Sequence, residues 1–301
     1  MTRIVVTGAS GFIGRHTLRP LLERGFEVHV LSRRRLEGDV AARVSEHEVD
    51  LLDADATEAA VSTIGATHLL HLAWFAEHGK FWDARENLDW VEATSRLVES
   101  FESAGGTRAV FAGTCAEYDW TGDCCNEETP LRPATVYGAS KHAARQLVES
   151  YAASTGLSVA WGRVFFTYGP GEQPTRIVAS VARALVAGEN VACSDGTQVR
   201  DFLYVEDLGS AFAALADSSV EGALDVGSGE PLALRDVLLR LEQLAGSEDL
   251  VRLGEAPARD EPARIVADTR RLHSDLKWRP SYTLDDGLER TLSWWRESRD
   301  P

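Results

Sequence analysis

Lysine is nearly missing from this 301-residue chain: Lys80, Lys141 and Lys277 are its only three. Arginine carries the rest of the positive charge, and 31 Lys+Arg against 47 Asp+Glu leave a formal net charge of −16. That balance excludes an extended nucleic-acid partner, which would need a basic face, but allows one local anion held by a few arginines. Cysteine is scarce too. Cys115, Cys124, Cys125 and Cys193 form no C-x-x-C pair, so nothing suggests a metal corner, and all four are expected to stay reduced. No run of 18 apolar residues occurs, so no membrane span is expected. The opening MTRIVVTGAS has no apolar stretch and no cleavage site of the secretory kind, and the expected location is cytoplasmic. With 44% hydrophobic and 26% charged residues, the composition is that of an ordinary globular protein large enough to bury a core.

What is present is an alternation. Arg3 to Thr7 is a β-branched run, Gly8 to Gly14 a glycine-rich turn, His16 to Arg24 helical, and Phe26 to Leu31 a buried-type strand. Strand signals return at Glu48-Val49, His68 to Ala73, Arg108 to Ala112 and Val159 to Val164. Helices are expected at Asn87 to Ala104 and Tyr137 to Ser154. Strands alternating with helices mean a parallel sheet covered on both faces. After Phe165 the texture changes. Gly169-Pro170-Gly171 reads as a loop, Ser194 to Thr197 as a hairpin turn, and Ile177 to Ala187, Leu203 to Leu215, Leu234 to Ala245 and Leu284 to Glu297 as helices. There is no internal repeat, low-complexity tract or long linker. The expected division is 1–165, with 200–227 returning to it, and a smaller lobe over 166–301.

Thr7-Gly8-Ala9-Ser10-Gly11-Phe12-Ile13-Gly14 sets glycines three apart between a strand and a helix. Such a turn lets backbone approach a pyrophosphate that rests on the helix N-terminus, so the expected ligand is a dinucleotide. At the end of the second strand, Ser32-Arg33-Arg34-Arg35 offers no carboxylate for a ribose 2′-hydroxyl. Arginine there can pair a 2′-phosphate, which favours NADP over NAD.

Tyr137-Gly138-Ala139-Ser140-Lys141 puts a phenol and one of the three lysines one helical turn apart on the same face. A neighbouring ammonium favours the phenolate and moves a phenol toward the working range of an acid–base group. Thr114, at the end of the Arg108 strand, can donate a hydrogen bond to a substrate oxygen; the alternative is a helix cap or turn residue.

These residues resemble the extended branch of the short-chain dehydrogenase/reductase superfamily, the nucleotide-sugar epimerases, dehydratases and ketoreductases. The resemblance spans nearly the whole chain. It rests on Thr7 to Gly14, Asp50-Leu51, His71-Leu72-Ala73, Asn87, Thr114, Tyr137/Lys141, Arg163 to Pro170, Arg200 to Asp207 and Asp225 to Gly229. It implies a Rossmann-type doubly wound α/β sheet with a smaller C-terminal α/β substrate lobe, and commonly a homodimer. Thr114, Tyr137 and Lys141 would be catalytic. Gly8, Ser10, Gly11, Phe12, Ile13, Gly14, Ser32, Arg33, Arg34, Asp50, Leu51, Leu72, Ala73 and Trp74 would join Tyr137 and Lys141 around the cofactor. Trp74, Cys115, Phe166, Arg200 and Arg259 would face the nucleotide-sugar, with Arg200 on its diphosphate and Arg259 or Arg264 as a second clamp. Leu88, Val91, Leu147 and Val148 would serve a dimer face or simply the core.

The chain also departs from the family. Dehydratases carry an acid pair after the threonine, where this sequence has Cys115 and Ala116; Glu117, one residue later, should face away, so 4,6-dehydration is discounted. Cys115 reads as a packed residue rather than a nucleophile. Phe166 stands where many members have asparagine, which suggests a more apolar sugar pocket walled by the Trp74-Phe75, Phe81-Trp82 and Tyr118 to Trp120 loops, with His78 as a lesser candidate. The expected activity is NADP-dependent reduction of a nucleotide-linked 4-keto-deoxysugar with Tyr137 as proton donor. The alternatives are a 4-epimerase that recycles bound NAD, or a non-catalytic dinucleotide sensor.

Overall fold

The protein is described here by a computed structural model covering residues 2–122, 125–126, 128–258 and 261–298. Six strands arise in order in the first half: Arg3–Thr7 (β1), Glu27–Ser32 (β2), Ser45–Glu48 (β3), His68–His71 (β4), Arg108–Thr114 (β5) and Ser158–Val164 (β6). Between them run Leu18–Glu23 (α1), Ala54–Ile64 (α2), Glu86–Ser103 (α3) and Val136–Thr155 (α4). The expected helix after the glycine turn is shorter than its pattern: a 3₁₀ turn at Gly14–His16 precedes α1. Helix α2, which the strand-and-motif pattern left unassigned, starts where the Asp53 carboxylate accepts the Ala56 N–H, a side-chain N-cap.

In the second half follow Phe166–Tyr168 (β7), Ile177–Ala187 (α5), Val191–Cys193 (β8), Val199–Arg200 (β9), Phe202–Tyr204 (β10) and Val205–Ala216 (α6). The chain continues through Gly222–Val226 (β11), Leu232–Ala233 (β12), Leu234–Ala245 (α7), Val251–Leu253 (β13), Arg264–Ile265 (β14), Arg270–Ser274 (α8) and Leu284–Glu297 (α9). Seven strands form one parallel sheet in the order β11-β6-β5-β4-β1-β2-β3. The chain order reverses between β1 and β4, and the crevice there is where an open parallel sheet takes its ligand.

The expected hairpin at Ser194–Thr197 does not form. β8 pairs parallel with β13, and β9 pairs with β12 and β14, so the turn connects two different small sheets. Ile4, Val6, Val30, Val110, Leu208 and Phe212 pack one face of the large sheet, and Val5, Leu69, Leu97, Phe101, Phe111 and Trp161 pack the other. A separate core under α5, α7 and α9 includes Val181, Val237, Leu238 and Leu292. Both faces of β5 are buried along its whole length, which is why its sequence reads as a continuous apolar run. Of the four residues set aside for a dimer face, Val148 turns toward the sheet and is core, while Leu88 and Leu147 are 59% and 52% exposed. Cys115 and Cys193 are free and buried, but Cys125 is disulfide-bonded, so the expectation of four reduced thiols fails there. Cys124 lies outside the described residues.

Candidate active site

The glycine turn is built by exclusion of side chains. Gly8 has φ +72°, and a Cβ on it would lie 2.6 Å from the Ala73 backbone nitrogen. A Cβ on Gly14 would sit 2.1 Å from the Gly8 carbonyl oxygen. The turn therefore lies flat against the end of β4, with Gly11 N–H donating to the Gly8 carbonyl at 3.0 Å. Leu72 and Ala73 are pinned to β1 by bonds to the Thr7 carbonyl (3.2 Å) and hydroxyl (3.3 Å). This bare-backbone cradle at the sheet's reversal point is what a pyrophosphate needs, so the residues fit a dinucleotide. Gly11 is exposed, Phe12 and Ile13 are half-buried, and Ser10 meets the Ser32 hydroxyl at 3.2 Å. Arg33, Arg34 and Arg35 follow Ser32 as exposed side chains, and Arg33 lies 3.8 Å from the carboxylate of Asp50. Leu51, next to Asp50, is buried.

Thr114, Tyr137 and Lys141 come together from the end of β5 and the first turns of α4. The Thr135 hydroxyl caps α4 by accepting the Gly138 N–H at 3.1 Å. A Cβ on Gly138 would lie 2.2 Å from the Ala116 carbonyl, so the first turn of α4 rests directly on the 3₁₀ turn Cys115–Glu117. That contact brings the Tyr137 phenol close enough to the Thr114 hydroxyl for the two to interact. Burial pushes the phenol above its ordinary range, and the neighbouring Thr114 hydroxyl works in the opposite direction. Lys141 is 3% exposed; its Nζ donates to the Ala112 carbonyl at 2.8 Å and stands 3.9 Å from the centre of the Trp74 ring. Burial lowers its pKa to about 7, and the Glu117 charge opposes that fall. His71 behind it drops to about 3 through burial and then the Lys141 charge, so it is neutral between Thr7 (2.8 Å) and Thr94 (3.0 Å).

The aromatic loop after β4 covers the phenol. Phe81 and Trp82 meet the Tyr137 ring edge-on at 4.8 and 5.8 Å, and the Trp82 carbonyl accepts the Tyr137 N–H. Trp74 donates its indole N–H to Asn87 Oδ1 at 2.8 Å, and Asn87 Nδ2 donates to the Phe81 and Ala84 carbonyls. Asn87 thus ties both ends of this loop, a role its motif position did not reveal. His78 instead reaches the second lobe, where its ring lies 3.0 Å from the Thr175 hydroxyl.

On the other side of Thr114, Cys115 packs with Tyr118, Phe165, Phe166, Ile265 and Ala267. Burial pushes its thiol up to about 12, so it is a packed neutral group rather than a nucleophile. Arg200 is 2% exposed; it pairs with Glu261 at 2.7 Å and stands 5.3 Å from the Phe166 ring. Arg259 lies outside the described residues, and Arg264 sits in β14 beside β9. Asp201, next to Arg200 in the motif, accepts the N–H groups of Ser228, Gly229 and Ala267, which makes it a structural clasp.

A parallel sheet with a bare glycine cradle at its reversal point, beside a threonine–tyrosine–lysine cluster, defines a dinucleotide-dependent enzyme of the short-chain dehydrogenase/reductase class. The chain belongs to the NAD dependent epimerase/dehydratase family, whose pattern matches residues 4–227. It is 28% identical to a UDP-glucose 4-epimerase of Erwinia amylovora, over 99% of this chain and 98% of that one. Among solved structures it resembles a Thermus thermophilus UDP-glucose 4-epimerase in complex with NAD, with TM-score 0.85, 30% identity and 98% and 99% of the two chains covered. It also resembles TunA, an NAD-dependent NDP-hexosamine 5,6-dehydratase involved in tunicamycin biosynthesis, at TM-score 0.85 and 29% identity over 100% and 99% of the chains. The protein is therefore an enzyme of the nucleotide-sugar epimerase/dehydratase group. These relatives favour the epimerase alternative over the net reduction expected from the arginine loop. Among the described residues, no helix is long and apolar enough to cross a membrane.

Proposed function

We propose that the protein is a nucleotide-sugar 4-epimerase that recycles a bound nicotinamide dinucleotide. The observation that carries this reading is the Thr114–Tyr137 pair set over Lys141, beside the Gly8–Gly14 cradle. A nicotinamide dinucleotide held there would supply the hydride acceptor and donor for one hexose carbon. The Tyr137 phenol oxygen takes the proton of the sugar hydroxyl and returns it, while the Thr114 hydroxyl holds the same sugar oxygen. Lys141 Nζ holds the nicotinamide ribose and keeps positive charge near the phenol, which favours its ionised form. Ser10, Phe12 and Ile13 line the turn, and Asp50 and Leu51 flank the adenine. Arg200 and Phe166 border the nucleotide diphosphate and sugar, with Arg259 as a second clamp.

Elimination is the weaker reading. Cys115 and Ala116 offer no acid–base group beside Thr114, and the Glu117 carboxylate is turned into the core at 0% exposure. A second reading rests on one observation: three exposed arginines, and no carboxylate, follow β2. They suit a 2′-phosphate and hence NADP and net reduction of a 4-keto sugar. One experiment separates the two. The enzyme is incubated with UDP-glucose and a trace of NAD. Formation of the C4 epimer without net change in nicotinamide absorbance is expected. Stoichiometric NADPH consumption with a nucleotide-linked 4-keto sugar, and no epimer from UDP-glucose, would replace the epimerase by the reductase. We further propose a homodimer paired through α3 and α4, where Leu88 and Leu147 are exposed.

A further inference from the structure

Glu117 is the one carboxylate in the Thr114 turn, and nothing in the proposed reaction uses it. It is fully buried, yet its two oxygens are crowded by donors. Oε1 accepts the Thr114 backbone N–H at 2.9 Å and the Trp161 indole N–H at 2.8 Å. Oε2 accepts Arg163 Nε at 3.2 Å and lies 3.6 Å from Arg145 Nε. Arg163 is in turn held by the Tyr118 hydroxyl at 3.1 Å and lies 3.6 Å from Asp225. The backbone has been opened for this arrangement, because a Cβ on Gly113 would fall 2.0 Å from Trp161 Nε1 and 2.6 Å from Glu117 Oε1. These donors hold both carboxylate oxygens inside the fold. The contacts of the carboxylate reach from β6 and α4 to the peptide nitrogen of Thr114.

We propose that Glu117 is a positioning residue for Thr114: anchored by Trp161 and Arg163, its carboxylate fixes the end of β5 so that the Thr114 hydroxyl meets Tyr137. Thr114 is both the last residue of β5 and the N-cap of the 3₁₀ turn, with φ −149° and ψ 147°. Its hydroxyl already accepts the Ala116 N–H at 3.2 Å, so its direction depends on the turn staying closed. Glu117 closes that turn from the other side as the second half of a capping box. A displacement of about 1 Å in a catalytic hydroxyl is enough for a large rate loss.

The inference rests on the proposed oxidoreduction at a sugar carbon, and the test keeps the two apart. Glu117→Gln and Thr114→Val are made singly and together in the full chain, and assayed with UDP-glucose and NAD. In the wild-type background, Glu117→Gln should lower kcat on the order of tenfold to a hundredfold while leaving KM within about twofold. In the Thr114→Val background the same change should cost less than about twofold, because the residue it acts through is gone. An equal loss in both backgrounds, or no loss in either, overturns the proposal. Should Glu117→Gln not fold, Trp161→Phe removes one anchor of Oε1 and should give a smaller kcat loss that also vanishes in the Thr114→Val background. Crystal structures of the wild-type and Glu117→Gln or Trp161→Phe proteins with NAD need no turnover. A Thr114 hydroxyl moved off Tyr137 supports the proposal, and an unmoved one refutes it even if UDP-glucose proves not to be a substrate.

Discussion

At the scale of single residues, the same chemistry serves opposite ends according to burial. Lys141 and Lys80 are both lysines, but Lys80 is exposed beside Glu77, which raises its pKa, whereas burial brings Lys141 down to about 7. Losing water makes a buried ammonium easier to discharge, and every charge nearby then counts more. Tyr137 shows the matching effect on a phenol, pushed upward by burial with the Thr114 hydroxyl and the Arg176 charge opposing it. The phenol is therefore protonated in the absence of ligands, and in the mechanism proposed above Lys141 and the cofactor would supply the positive charge that ionises it. Tyr137→Phe should reduce epimerisation by about 10²–10⁴-fold. NAD affinity, followed by fluorescence titration, should stay within about threefold, because the phenol contributes chemistry more than cofactor contact. Retained turnover would remove Tyr137 from the mechanism.

At the scale of elements, polar side chains at or just beyond the ends of β5, β6 and β11 are linked to one another by hydrogen bonds and ion pairs. Asp225 in β11 accepts the Tyr118 hydroxyl at 2.9 Å, lies near Arg163 and is 4% exposed. Burial lifts its pKa to about 6, against the partial opposition of Arg163 and Tyr118. A folded-state pKa above the unfolded carboxyl value near 4 means that the folded protein binds the extra proton between about pH 4 and 6. The contribution of Asp225 to stability is thus fullest below about pH 4 and is lost as the pH rises through 6. Relative to Asp225→Asn, the wild-type protein should lose up to roughly 3 kcal/mol across that window. Denaturant titrations of both proteins from pH 4 to 7 measure the difference, and parallel stability curves would show that Asp225 titrates normally.

At the scale of the whole molecule, the −16 charge and the site are separate matters. The arginines are placed locally: Arg163 and Arg200 are buried against carboxylates, and Arg33 and Arg34 are exposed just after β2. One exposed leucine stands on each of α3 and α4, Leu88 and Leu147. Leu88→Glu together with Leu147→Glu should convert a dimer to monomer in sedimentation analysis while leaving the fold intact, since neither side chain reaches the core. A wild-type protein that already sediments as a monomer would dispose of the dimer.

Periodicity and glycine placement alone determined most of the framework. The strand–turn–helix opening, the parallel sheet, helices α5, α7 and α9, and the presence of Thr114, Tyr137 and Lys141 are all local patterns, because backbone constraints and apolar spacing act over a few residues. The motifs around Arg200 were equally visible, but their division of labour was not: Asp201 is a clasp, and Arg200 is paired with Glu261, a residue 61 positions away. Val148 and Leu147 could not be told apart as core and surface until α4 was docked on the sheet. Glu117 was correctly expected to turn from the site, but for the wrong reason. It sits in a 3₁₀ turn rather than an extended strand, and three partners from β6 and α4 draw it inward. Which acids are chemical and which are structural is fixed by burial and by partners distant in sequence, and only the tertiary structure supplies those.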